Sequence, residues 1–193
     1  MKKWVILVFV AMLSLSACDV LQQASELQRL SLCEFELSGI HQLRLAGIAL
    51  NNGSTRSGIP VGESITLAGA VFSRSLPLDF DLMVKVNNPN QGKASLNRMD
   101  YILSIDGKEV LSGNFQEKFM INGGSSAMMK IPVEMDLFKV LQNESGDALV
   151  NLAFNLVSGS GQPTEILLKV KPYIQVGSSQ LPYPTYINLR RNL

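Results

Sequence analysis

The side chains with the most chemistry to offer are few. The chain carries two cysteines, Cys18 and Cys33, and a single histidine, His41. A zinc site of the usual His/Cys kind takes four such ligands, so one copy of the chain cannot assemble it. The same count excludes a disulfide framework. Asp79 and Asp81 stand two apart in an alternating segment and therefore face the same way. Paired carboxylates suit acid–base work or calcium. No Asp/Asn/Gly loop of ligand spacing adjoins them, and they read as a solvated strand face. His41 has no accompanying nucleophile motif of the Gly-x-Ser-x-Gly kind and reads as a surface or partly buried histidine. The glycines at 123–124 and 159–161 lack the Gly-Lys-Ser/Thr of a phosphate loop. No catalytic residue, cofactor site or metal ligand is assigned, and the chain is expected not to be an enzyme.

Cys18 stands apart because of what precedes it. Lys2 and Lys3 form a basic start, and Trp4 to Leu13 is an uninterrupted apolar run. Ten residues are too short to span a bilayer, which takes about 20, but they have the length and flanks of a secretory leader. The run ends in Leu15-Ser16-Ala17-Cys18, which resembles the lipobox of bacterial lipoproteins. The resemblance implies cleavage after residue 17 and diacylation of the Cys18 sulfur. Two acyl chains, at roughly 0.8 kcal/mol per buried CH₂, give lasting attachment where one is marginal. Asp19 resembles an inner-membrane retention signal of some Gram-negative bacteria, a rule that varies between lineages. The 17 basic and 16 acidic side chains nearly balance. That balance argues against a nucleic-acid partner, and loss of Lys2 and Lys3 leaves no charge to draw the body onto anionic lipid. The second cysteine, Cys33, alternates with charged residues alongside Phe35 and Leu37, and reads as a buried structural thiol.

Hydrophobic residues make up 46% of the chain and charged ones 17%, too apolar for disorder. Residues 1–17 read as the leader and 18–31 as the lipidated start and a spacer or short helix. Residues 32–70 read as an extension with one or two strands and a helix over 65–73 capped by Ser64. Leu78, Phe80, Leu82, Val84 and Val86 alternate with largely polar residues, the period of a strand with one buried face. The cluster Asn87-Asn88-Pro89-Asn90 ends it as a turn whose asparagines bond the local backbone. A second strand is expected over 94–105, closed by Asp106-Gly107 as a hairpin turn. Residues 108–115 return, and 116–121 extend the meander. Over 128–135 an alternating strand holds Pro132, which marks an edge or a bulge. Asp136 caps a brief helix over 137–142. Residues 149–157 and 164–176 read as strands, and 177–193 as a tail. Six methionines within 83–135 lie at strand spacing and read as core, while leaving open an adaptable apolar groove. About seven strands with turns every eight to twelve residues predict an all-β sandwich over 71–176, with one or two short helices.

Leu76-Pro77-Leu78, Val84-Lys85-Val86-Asn87-Asn88-Pro89-Asn90, Tyr101 to Gly107, Leu111-Ser112-Gly113, Ile131-Pro132-Val133 and Ile166 to Pro172 carry a likeness to a known family. Together they resemble the type 2 late embryogenesis abundant domain, also called the water-stress and hypersensitive-response domain. The resemblance implies an immunoglobulin- or fibronectin-like β-sandwich without a catalytic residue set or cofactor. It implies a role in desiccation and stress tolerance, with bacterial members often lipoproteins. The expectation is therefore a non-enzymatic lipoprotein of the bacterial cell envelope, held to the membrane through Cys18 and facing the periplasm or exterior. Its partners are expected to be envelope components. A lipid- or apolar-ligand-binding module, or a structural adaptor of an envelope complex, are the alternatives.

Overall fold

A computed structural model describes residues 28–158, 163–176 and 179–193. The leader and Cys18 lie outside the described residues. A helical turn at 28–31 leads into β1 (Glu34–Leu45), which turns back as β2 (Ile48–Ala49). A 3-10 turn (Arg56–Gly58) precedes α1 (Val61–Phe72). Then come β3 (Pro77–Asn88), β4 (Ala94–Leu96), β5 (Arg98–Ile105), β6 (Lys108–Phe115), β7 (Phe119–Ile121) and β8 (Ser125–Asp136). Helices α2 (Leu137–Val140) and α3 (Gly146–Ser158) follow, and β9 (Glu165–Val176), β10 (Ser179–Pro182) and β11 (Ile187–Asn192) close the chain.

The strands form two main antiparallel sheets and a two-stranded β4–β7 ribbon, and the expected all-β sandwich is what the chain adopts. The first runs β2-β1-β3-β8. In the second β6, β5 and β9 lie side by side, and β10 and β11 both pair the far edge of β9. The chain crosses between sheets after β3, after β6 and after β8. Alternation dictates which face meets the other sheet. Leu78, Phe80, Leu82, Val84 and Val86 of β3 are buried, as are Ile166, Leu168, Val170 and Ile174 of β9. The Asp106-Gly107 turn has both residues at positive φ (48° and 75°), the hairpin geometry whose twist suits the flanking strands. β8 is an edge strand, which tolerates Pro132 because its outer side has no ladder partner. Asp136 caps α2, its Oδ1 accepting from the Phe138 amide at 3.0 Å.

Five sequence expectations need correction. Residues 149–157 are helix, not strand. Leu149, Val150, Ala153, Phe154 and Leu156 are buried together at helical spacing, and Ser145 Oγ accepts from the Ala148 amide at 3.2 Å as the cap. α1 begins at Val61 after Pro60, and Ser64 is an interior residue donating back to the Pro60 carbonyl. The strand expected over 94–105 breaks at Asn97: β4 pairs β7 in a small separate ribbon while β5 joins the second sheet. The 32–70 extension is not peripheral, since β1 pairs β3 from Glu34↔Asn87 to Leu45↔Leu78, and a boundary at 70/71 falls inside α1. The 177–193 tail holds β10 and β11, and Leu189 is buried against the core.

Register gives the sandwich two unlike poles. β1 starts, β3 ends and the β4–β7 ribbon lies at one pole, where residue 28 also enters. The turns at 46–47 and 106–107, α1, α2 and the start of α3 gather at the other. Twelve residues of β3 separate the poles by roughly 37 Å.

Candidate functional site at the helical pole

The most specific stretch of the sequence turns out to be a joint. Asn88 is fully buried at the entry pole. Its Nδ2 donates to the carbonyls of Gly92 (2.9 Å), Ile121 (3.1 Å) and Asn122 (3.2 Å). Its Oδ1 accepts from the Asn90 amide (3.1 Å) and Asn90 Nδ2 (2.7 Å). Asn90 Nδ2 also donates to the Arg29 carbonyl at 2.9 Å. A side chain at Gly92 would run into Arg29. One polar knot thus ties the incoming chain, the end of β3 and the β4–β7 ribbon. The Asn88 amide is thus used entirely within the joint.

The remaining predicted residues are scattered. Cys33 is half-buried, its Sγ donating to the Arg29 carbonyl at 3.4 Å, and burial pushes its thiol up to about 11. That makes it inert, as the alternation suggests. His41 is exposed on β1. Asp79 and Asp81 do share the outer face of the first sheet, but Asp81 is buried rather than solvated and pairs with Lys130 Nζ at 2.8 Å. Met99, Met129 and Met135 are core, whereas Met120 and Met128 are exposed on separate strands. On the outer face of the second sheet Arg98, Asp100 and Tyr173 form a closed cluster. Tyr173 donates to Asp100 Oδ2 at 2.7 Å, and that bond, helped by burial and the Asp100 charge, raises its phenol above the ordinary value. No group of three or more His, Cys, Asp or Glu suited to a metal exists among the described residues.

The methionines, which left open an adaptable groove, do not form one among the described residues, but a different apolar groove is present and no methionine lines it. It lies at the helical pole between α1 and the first turns of α3, with a volume of about 450 Å³. Leu67, Ala68, Val71 and Phe72 form one wall, and Ile59 and Val150 the other. Ligand sites of small apolar molecules fall in this size range. Arg56 and Asp147 bridge the rim at 2.6 Å. Close approach of the two helices depends on Gly146, where a Cβ would strike Val71. α1 is lightly held, with only Leu67 of its side chains fully buried. Its outward stripe is apolar: Val61 is 78%, Ile65 68% and Phe72 92% exposed. These positions recur at helical spacing and share one face. Monomeric domains rarely leave large contiguous apolar faces bare. Sequence reasoning missed the stripe because α1 was read from its cap and glycines, not from the spacing of Val61, Ile65 and Phe72.

Residues 83–183 match the family model described as late embryogenesis abundant protein. No curated protein matches the chain. Among solved structures, a protein from Archaeoglobus fulgidus is similar at 12% identity, covering 80% of this chain and 96% of its own, with a TM-score of 0.37. A late embryogenesis abundant (LEA) protein solved in solution is 15% identical, covering 100% of this chain and 88% of its own, TM-score 0.40. A protein from Arabidopsis thaliana is also 15% identical, covering 62% and 72%, TM-score 0.40.

Proposed function

The chain belongs to the late embryogenesis abundant family, and from that premise we propose that it is a non-enzymatic lipoprotein of the bacterial envelope with a stress-protective binding role. The lipid attachment is at Cys18. The single observation that carries the reading is the polarity of the body: the chain enters at one pole, and the bare apolar stripe of α1 with its groove occupies the other. A body held at its entry pole presents α1 away from the membrane that holds it. Protection then works by covering apolar surfaces of envelope components that become exposed during drying or stress.

The test is Cys18→Ser in cells. Membrane attachment should be lost, or the precursor should accumulate. Unchanged processing and attachment would remove the lipoprotein reading. The groove supports a second reading, a module that carries an acyl chain or similar apolar ligand. Protein purified from cells should then hold lipid detectable by native mass spectrometry, and repeatedly empty protein would leave the contact-surface reading alone.

A further inference from the structure

The apolar stripe of α1 has a shape as well as a composition. Val61, Ile65 and Phe72 are largely exposed, at intervals of four and seven residues that keep them on one face. Ala68 and Gly69 fall on that face between Ile65 and Phe72 and are exposed too. The side chains that hold the helix to the body lie on the opposite side: Leu67, buried, and Ala70 and Val71, partly buried. The stripe is therefore bulky at both ends and narrow in the middle. Gly69 has open space where a Cβ would stand and no positive φ. Neither crowding nor backbone strain within the described residues calls for a glycine there, although glycine weakens a helix interior relative to alanine.

The charge pattern selects among partners. A helix that lies on anionic lipid sets Lys or Arg along its polar flanks, whereas the one charged residue of α1 is Glu63. A two-fold pair sets residues near the axis against their own symmetry mates, where a charge would repel its copy. The stripe from Val61 to Phe72 carries none. An antiparallel pair of α1 helices crossing at Ala68 and Gly69 places the Phe72 of each copy against the Ile65 of the other. The small residues then meet at the axis, where the two backbones come close. The α1–α3 groove shares Ala68 and Phe72 with the stripe, and its volume of about 450 Å³ has room for the ring of a second Phe72. Val61, Ile65 and Phe72 expose roughly 450 Å² per copy. With the groove walls the contact approaches the roughly 800 Å² per partner of a standard interface. Such a contact makes a reversible dimer, roughly micromolar or weaker.

We propose that two copies of this chain pair through α1, antiparallel about a two-fold axis at Ala68 and Gly69, and that this dimer is the resting form of the protein. The resting-form role rests on the stress-protective reading above: dissociation uncovers the stripe when a stressed apolar surface competes for it. Attachment of both copies to one membrane surface favours the pair by raising their effective concentration.

Cysteine cross-linking of the full chain in cells tests the pairing, with the unmodified chain as baseline for any link through Cys18 or Cys33. Ala68→Cys stands beside the axis. Under oxidation by copper phenanthroline it should give a disulfide-linked homodimer several-fold above baseline, recognised by mass spectrometry of the joined peptides. Val61→Cys is also exposed but lies roughly 22 Å from its mate along the antiparallel pair, and should stay at baseline. Met128→Cys, exposed on the outer face of the first sheet, should do the same. Adding Phe72→Ser to Ala68→Cys should cut the link at least threefold. The pairing is overturned if Ala68→Cys gives no homodimer above baseline, if Val61→Cys links equally, or if Phe72→Ser changes nothing. Links to other envelope proteins without the homodimer would assign the stripe to a foreign partner instead. The oxidised Ala68→Cys dimer, in bilayer discs, should suppress aggregation of a heat-denatured model protein at least threefold less than the same chain reduced. Equal protection overturns the resting-form role. No protection by either form refutes the protective reading and that role with it, while the cross-link still decides the pairing.

Discussion

Replacing Asn88 by alanine tests the joint at the entry pole. Asn88 is fully buried and makes five hydrogen-bond contacts, so truncation removes them and leaves a small cavity. The carbonyls of Gly92 and Asn122 are only partly buried, and water can replace the lost donor there at little cost. The Ile121 bond is buried, and its carbonyl loses that donor at about 1–3 kcal/mol. Loss of the bonds that fix Asn90 adds about 1 kcal/mol. The sum is about 3 kcal/mol, which for a body of this size lowers the melting temperature by roughly 6–12 °C. Asn87→Ala is the internal control, since its bonds to Glu34 (3.0 Å) and Ser126 (3.1 Å) lie at the surface. That substitution should cost about 0.5 kcal/mol or less. Urea unfolding of both variants decides the matter. The reasoning fails if Asn88→Ala lies within about 0.5 kcal/mol of Asn87→Ala. Asn88→Asp sharpens the test, because a buried carboxylate would face three carbonyls. Its folded-state pKa would be raised, so its stability deficit should be largest at neutral pH and shrink as acid protonates it.

Three further outcomes follow from the geometry. Phe72→Ser should leave the melting temperature nearly unchanged, since the ring is 92% exposed, while lowering binding of an apolar fluorescent dye. A large fall in stability would mean that α1 packs elsewhere. Native Cys33, with its thiol at about 11 instead of 9, should alkylate near pH 8 about a hundredfold more slowly than in urea, and equal rates by mass spectrometry would contradict its burial. Lys130→Met should destabilise by about 1–3 kcal/mol because it strands the Asp81 carboxylate. The Asp81→Leu, Lys130→Met double variant should recover most of that loss, and a double variant worse than the single would show that the pair itself is net stabilising.

The strands that the sequence revealed are those with one wet face. β3, β5, β8 and β9 alternate because one side meets the opposite sheet and the other meets solvent. Residues 149–157 misled because leucine, valine and phenylalanine crowd both periods. Asn151 and Asn155, four apart, and Ser145 three before Ala148 are the helix signals that were available. β11 was hidden because Arg190 and Arg191 look like a solvated tail. Its pairing with β9 depends on partners 17 to 27 residues away, which no local pattern reports. The break at Asn97 was invisible for a similar reason, since β4 and β5 have the same alternation and differ only in which sheet receives them. The α1–α3 groove was illegible, because only the folded topology brings residues 56–72 beside 147–150.

The position of the Asn-Pro-Asn turn changes what that motif should be taken to mean. It is the most distinctive local signature in the chain, yet its polar groups are turned inward on Arg29, Gly92, Ile121 and Asn122. On the proposed attachment at Cys18, residues 18–28 reach at most about 35 Å when fully extended, close to the length of the sandwich. Any pull along that spacer arrives first at Arg29, whose carbonyl accepts from the Asn90 side-chain amide and whose guanidinium lies against Gly92. The load then passes through Asn88 into β3, and β3 pairs on both sides along its length. Defects at the joint should therefore appear as lost stability of the whole body. Defects in α1 should appear as lost binding in a body that still melts normally. A chain in which Phe72→Ser unfolds the sandwich while Asn88→Ala does not would reverse the assignment of the two poles.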